Sequence, residues 1–243
     1  MSEPAHSHLD GMSVVITRPR HQQAELAEAL AACGAQPIDM PMIDIIEVPA
    51  GVEELRRILG DAEDLAWLVV TSPNGARVVS ILHEEGCALP PTAALGAATS
   101  DAVGFAVEFV SPRATAASLV DAFPSGSGSV VVVQGDLADD TLSVGLQSKG
   151  WNVRRCNVYR TVDTEPDADV IDQACRADAV LLASGSAARN WARVVDGNFN
   201  GVIVAIGPVT AAVAEEVGLI VSAAAEEPTV AGLISALGSA LSP

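Results

Sequence analysis

Short β-branched runs that end in small or turn residues, each followed by an Ala/Leu-rich stretch of helical period, recur along the whole chain. Val14-Val15-Ile16-Thr17-Arg18-Pro19 precedes a helix in which Ala24, Leu26, Ala27 and Leu30 share a face and Cys33-Gly34 forms the stop. Trp67-Leu68-Val69-Val70 runs into Thr71-Ser72-Pro73-Asn74-Gly75 and a helix carrying Val78, Val79 and Leu82. Ala93-Ala94-Leu95-Gly96 leads to Thr99-Ser100-Asp101, and Val130 to Val133 lead to Gln134-Gly135-Asp136. Ala179 to Leu182 lead to Ser184-Gly185-Ser186, and Val202 to Ile206 to Gly207-Pro208-Val209-Thr210. Strand-then-helix alternation predicts parallel sheets with helices on both faces.

The pattern also repeats itself. Leu95-Gly96-Ala97-Ala98-Thr99 aligns with Ile206-Gly207-Pro208-Val209-Thr210, Ser72 with Ser184, and Thr115-Ala116-Ala117-Ser118-Leu119 with Thr229-Val230-Ala231-Gly232-Leu233. The opening strand and helix to Gly34 match Val130 to Gly150, so four units run in the order A, B, A′, B′. Extended stretches join them: Pro41 to Pro49 between A and B, and Cys156 to Val162, ending before Pro166, between A′ and B′. Two pairings satisfy the repeat. Either A joins B and A′ joins B′ in tandem, or B and A′ are enclosed between A and B′, which lets the two extended stretches pair as an antiparallel ribbon. Ser125-Gly126-Ser127-Gly128-Ser129 reads equally as a tandem linker and as a surface loop.

Composition narrows the class. The 243 residues are 49% hydrophobic and only 3% aromatic, enough to bury large cores and too apolar for a disordered chain. No apolar run reaches the roughly 18–20 residues of a membrane helix, and the opening Met1 to Asp10 lacks the basic end and apolar stretch of a signal peptide. Cys33, Cys87, Cys156 and Cys175 have no CxxC spacing, which predicts reduced thiols and a cytoplasmic chain. The net charge of −18 disfavours nucleic acid and anionic membrane as partners.

Ligands of open parallel sheets bind outside the carboxyl ends of the strands, where this chain places Ser, Thr, Gly and Pro. Thr17, Ser72, Thr99, Ser184, Ser186, Thr210 and Thr229 are candidate anion-binding hydroxyls beside helix N-termini. Ordinary N-capping is the competing reading for each. The nucleotide signatures GxGxxG and GxxxxGK[ST] are absent, as are HExxH and GxSxG. His6-x-His8 lies in the N-terminal tail, and His21 and His83 stand alone, so no metal site is expected. Asp139-Asp140 and Glu226-Glu227 are read as acids favoured by helix dipoles. Tyr159, the only tyrosine, occupies the second extended stretch, and as a neutral phenol it can donate a hydrogen bond or a proton. Arg18, Arg77, Arg113, Arg160 and Arg189 are the basic residues in or near the loops.

Ile16-Thr17-Arg18-Pro19, Val70 to Gly75, Leu95-Gly96 with Thr99, Val158-Tyr159-Arg160, Leu182 to Ser186, Ile206-Gly207-Pro208 with Thr210, and Glu227-Pro228-Thr229 follow one another in a set order and spacing from about Ser13 to Leu241. Together they resemble the uroporphyrinogen-III synthase family. The resemblance implies the enclosed pairing in an α/β fold of two flavodoxin-like, doubly wound parallel-sheet domains. One comprises 1–40 with 166–243 and the other 51–155, joined by a two-stranded antiparallel β ribbon of 41–50 and 156–165. It implies a cyclising hydro-lyase that takes hydroxymethylbilane, a linear tetrapyrrole with eight carboxylates, through a spiro intermediate to uroporphyrinogen III and water, inverting the last ring. Tyr159 is then the expected catalytic group, with Thr17, Arg18, Ser72, Asn74, Thr99, Ser184, Ser186, Thr210 and Thr229 holding substrate. No cofactor or metal is implied, and a monomer with transient contact to hydroxymethylbilane synthase is expected. One position departs: where relatives often carry an arginine after the Gly135 loop, this chain has Asp139. The alternative is a non-catalytic two-domain ligand-binding or sensor protein, which would close on a ligand without forming product.

Overall fold

The computed structural model describes residues 9–61 and 64–241; His6 and His8 lie outside them. In chain order the elements begin with β1 (Ser13–Ile16), α1 (Ala24–Ala32), β2 (Gln36–Asp39), β3 (Ile43–Glu47), α2 (Pro49–Asp61), β4 (Leu65–Val70) and α3 (Pro73–Glu84). There follow β5 (Thr92–Ala94), α4 (Ala97–Val103), β6 (Phe109–Val110), α5 (Ala116–Ala122), β7 (Ser129–Gly135), α6 (Thr141–Ser148) and β8 (Asn152–Asp163). The last are α7 (Ala168–Cys175), β9 (Ala179–Leu182), α8 (Gly185–Val195), β10 (Val202–Ala205), α9 (Pro208–Glu216), β11 (Ala223–Ala224) and α10 (Val230–Leu241).

Two compact units share these elements: one runs to Asp44 and resumes at Val162, the other is Ile45–Thr161. In the discontinuous unit the sheet order is β11-β10-β9-β1-β2, with all neighbours parallel. The opening strand therefore pairs with one made late in the chain, Val14 opposite Ala179. Alternate residues feed opposite faces, as strand geometry dictates. Val15, Val180 and Leu182 pack with Ala187 and Trp191 of α8, while Val14, Ile16 and Leu181 pack with Leu26 and Leu30 of α1 and Leu233 and Leu237 of α10. Helix α1 ends where expected, with Gly34 at φ +83° beyond Cys33; Gly150 repeats the device after α6 at φ +97°.

The continuous unit has the sheet order β3-β8-β7-β4-β5-β6. Strand β7 is buried along its whole length, as befits the interior of a parallel sheet covered on both faces. Val131 and Val133 point toward Leu55, Val79 and Leu82, and Val130 and Val132 toward Leu119, Phe123 and Leu146. The Ser125–Ser129 segment is a packed loop of this unit: Trp151 donates from Nε1 to Pro124 O at 2.9 Å, and Gly126 N–H donates to Lys149 O. A Cβ at Gly126 would lie 2.3 Å from the Trp151 ring.

The two extended stretches do pair. Val48 N–H donates to Val158 O and Thr164 N–H to Met42 O, so one strand advances as the other retreats. The second strand starts earlier than its connector reading suggested: β8 begins at Asn152, and its first half pairs parallel with β7. At the other end of the pairing Asn190, 1% exposed, donates from Nδ2 to Met42 O (2.5 Å) and Thr164 O (2.9 Å), and its Oδ1 accepts from Arg193. Among the described residues, no helix is long and apolar enough to cross a membrane.

Candidate functional site

In the continuous unit, the carboxyl ends of β4 and β7 and the second half of β8 open onto a cavity of about 390 Å³. Thr71, Ser72, Leu95, Gln134, Tyr159 and the Gly135–Asp139 loop form most of its lining. Tyr159 arrives there through a slip of register. Gln134 sits opposite Asn157 but Gly135 opposite Tyr159, so β8 gains one residue on β7. Val158 and its neighbour Tyr159 consequently pack against the same core face, where strict alternation would separate them. Gly135 makes room for the ring: a Cβ there would stand 2.5 Å from Tyr159 Cε2 and 2.6 Å from Cζ.

The phenol oxygen lies 2.8 Å from Ser72 Oγ. Ser72 is also the N-cap of α3, its Oγ accepting from Gly75 N–H, and capping leaves the hydroxyl proton to donate. Burial pushes the Tyr159 phenol above its ordinary range; the Ser72 bond opposes that shift and the negative charge of Asp136 reinforces it. The phenol is therefore held neutral. Asp136 N–H donates to Tyr159 O, and Thr161 N–H donates to Asp136 Oδ1 at 3.1 Å, so this loop is stitched to both sides of the tyrosine.

Arg155 fastens the far end of the same loop. Its guanidinium donates to Ala138 O at 2.9 Å and pairs with Asp140. Gln134, buried beneath it, accepts from Nη2 at 2.7 Å and Nε at 2.8 Å in the orientation that presents its oxygen. Asp139 Oδ1 accepts from Thr141 N–H at the start of α6, which holds the carboxyl below its usual range.

The discontinuous unit carries a second set at the ends of β1, β9 and β10. Ser184 caps α8 as Ser72 caps α3, accepting from Ala187 N–H at 3.1 Å, and Ser186 sits in the first turn. Thr229 accepts from Gly232 N–H before α10. Helix α9 has no side-chain cap: Gly207 precedes Pro208, leaving its first-turn amides to other acceptors. Arg18 is half-buried beside this edge; burial lowers its value and Glu25 partly offsets that, which leaves it charged near neutrality.

Comparison with known proteins settles the family. The model of the family described as uroporphyrinogen-III synthase HemD matches residues 24–235. The chain belongs to the uroporphyrinogen-III synthase family. It is similar to the chloroplastic uroporphyrinogen-III synthase of Oryza sativa subsp. japonica, 31% identical over 85% of this chain and 73% of that one. The enzyme of Synechococcus elongatus is 25% identical over 96% and 97% of the two chains. Among solved structures, a mutant uroporphyrinogen III synthase of the extremely thermophilic bacterium Thermus thermophilus matches with a TM-score of 0.65 at 20% identity, covering 95% of this chain and 99% of that one. The Helicobacter pylori uroporphyrinogen-III synthetase matches at 0.64 and 16% identity, covering 94% and 99%. These last two likenesses speak for the fold.

Within this uroporphyrinogen-III synthase family member, the residues picked from sequence separate into groups. Tyr159 and Ser72 meet, and Asn74 lies in the first turn of α3 with its Oδ1 accepting from Arg77. Ser184, Ser186, Thr229 and Arg18 belong to the other unit. Thr17 is fully buried, donates to Leu181 O at 2.7 Å and accepts from Ala183 N–H, linking β1 to β9. Thr99 and Thr210 are also buried, in the first turns of α4 and α9, where Gly96 and Gly207 hold the cap positions. Sequence reasoning overlooked Gln134, Gly135, Asp136 and Arg155. The available signal for the first three was their place directly after a buried valine run.

Proposed function

We propose that this family member converts hydroxymethylbilane into uroporphyrinogen III and water, a cyclising lyase reaction in which the last pyrrole ring is inverted. The observation that carries the reading at the site is the neutral Tyr159 phenol, 2.8 Å from Ser72 Oγ in a cavity whose lining offers no histidine, lysine or cysteine. A pyrrole bearing a hydroxymethyl group ionises readily when its oxygen receives a proton or a strong hydrogen bond. Tyr159 supplies that donor, and Ser72 orients it. The terminal ring then attacks through its substituted carbon, and the spiro intermediate fragments and recloses.

The uncatalysed bilane also closes, mostly without inversion, so the task is selection of geometry more than raw acceleration. Helix N-termini suit that task, since their amides hold carboxylates at fixed directions. In this reading Ser72 and Asn74 at α3, Ser184 and Ser186 at α8, Thr229 at α10, and Arg18 contact the substrate, each as part of its own unit. The same proposal has one chain acting as a cytoplasmic monomer that receives the labile bilane from hydroxymethylbilane synthase by transient contact. The test supplies fresh hydroxymethylbilane, oxidises the product and separates the uroporphyrin isomers. Isomer III is expected to dominate with the protein and isomer I without it; isomer I in both would overturn the reading.

A further inference from the structure

The charge of the cavity lining is one-sided. Asp136 and Asp139 are its charged residues, and none of the lining residues is basic. A polyanionic bilane is repelled if it turns its carboxylate arms toward this wall, whereas an electron-poor carbon is attracted to it. The carboxylates of the loop are not equivalent. Asp139 is engaged at the start of α6 through Thr141 N–H, and Asp140 is neutralised by Arg155. Asp136 is anchored to the strand of the tyrosine itself, by its own N–H to Tyr159 O and by Thr161 N–H to its Oδ1. The Arg155 contacts to Ala138 and Gln134 fix the remainder of the loop, so the carboxylate is in place before any charge develops.

We propose that Asp136 is the counter-charge for the cation created in this cavity when the hydroxyl group leaves. The inference rests on the functional reading above. The carbon–oxygen bond breaks with both electrons going to oxygen, and that oxygen takes the Tyr159 proton and departs as water. The pyrrole nitrogen pair closes an exocyclic double bond and leaves a positive charge on the ring, opposite Asp136. The phenolate recovers a proton when the terminal ring, reclosing through its free α-carbon, loses the hydrogen on that carbon and regains aromaticity, so tyrosine is restored and the net change is bilane to macrocycle plus water.

Asp136→Asn separates charge from geometry, because the amide oxygen still accepts from Thr161 N–H. The kcat for isomer III is expected to fall roughly 10- to 100-fold, with KM unchanged or lower and melting temperature preserved; Asp136→Glu restores part of the rate. Two inert bilanes give an independent readout, one with a protonated aminomethyl group and one with a methyl group in place of the hydroxymethyl. The ammonium compound is expected to bind the wild type at least about fivefold more tightly, and Asp136→Asn to remove that preference. A kcat within about twofold of wild type overturns the proposal. Equal affinity of the wild type for the two analogues overturns it as well, whether or not the variant folds. A wild-type protein that yields mostly isomer I defeats the functional reading itself, a result distinguishable from both.

Discussion

Two substitutions around one phenol divide chemistry from placement. Tyr159→Phe keeps the ring against Gly135 and removes the donor, so turnover is expected to drop about 100-fold while stability changes by no more than about 1 kcal/mol. Gly135→Ala keeps the donor and moves it, since the new methyl would overlap the ring. Turnover should fall at least about tenfold with little thermal shift, because a displacement near 1 Å is costly to a reaction that depends on alignment. Isomer-resolved kinetics and a melting curve check both. Residue type and strand-end position picked out Ser72 and Ser184, and Tyr159 was picked out as the only tyrosine, in the second extended stretch. The role of Thr17 was not legible, because its partners Leu181 and Ala183 lie more than 160 positions away in sequence. Asp136 was overlooked for a related reason: its contacts with Tyr159 and Thr161, more than 20 positions on, exist only in the fold.

Strand β8 runs from the sheet of its unit into the pairing with β3, and a buried thiol sits in its middle. Cys156, fully buried in that strand, has its thiol pushed up to about 11 by burial. A thiol kept neutral in the fold but free to ionise when unfolded contributes stability that is fully present below about pH 9 and is lost as pH rises through 11. The loss amounts to roughly 2–3 kcal/mol, and Cys156→Val is expected to remove that part of the slope in urea titrations between these pH values. At the other end of the same pairing, Asn190→Ala strips donors from Met42 O and Thr164 O. It is expected to lower unfolding free energy by about 2–4 kcal/mol, seen first as faster amide exchange around Met42 and Thr164. The apolar runs forecast β1, β4, β7, β9 and β10 because buried parallel strands need continuous hydrophobic residues. The start of β8, Asn152-Val153-Arg154-Arg155, escaped that reading: its side chains are mostly exposed and polar, and backbone pairing with β7 holds it.

At the scale of the whole molecule, a chain of net charge −18 must capture a substrate that is itself a polyanion. The long-range field opposes encounter, and salt weakens it beyond about 8–10 Å while leaving short contacts to amides and hydroxyls largely intact. KM for hydroxymethylbilane is therefore expected to decrease as ionic strength rises from about 0.02 to 0.15 M, the reverse of an electrostatically steered enzyme. Steady-state assays across a salt series check this, and a rising KM would show that local cations dominate. The internal repeat made two α/β units legible at this scale, but it fitted two pairings equally well. What distinguishes them is strand adjacency across the chain, which no local pattern encodes.

That adjacency governs the order in which the molecule comes into being. Residues 45–161 contain the partners of strands β4 to β8 within themselves, so the ribosome delivers that unit complete. Strand β1 waits for β9, some 165 residues later, an interval of roughly 8–33 s at ordinary elongation speeds. During that time its Val14–Ile16 edge is an unpaired apolar template, the kind of surface that nascent-chain chaperones cover. Slowing translation near β9 should therefore increase aggregation of nascent chains, while the same pause placed before Ile45 should have little effect.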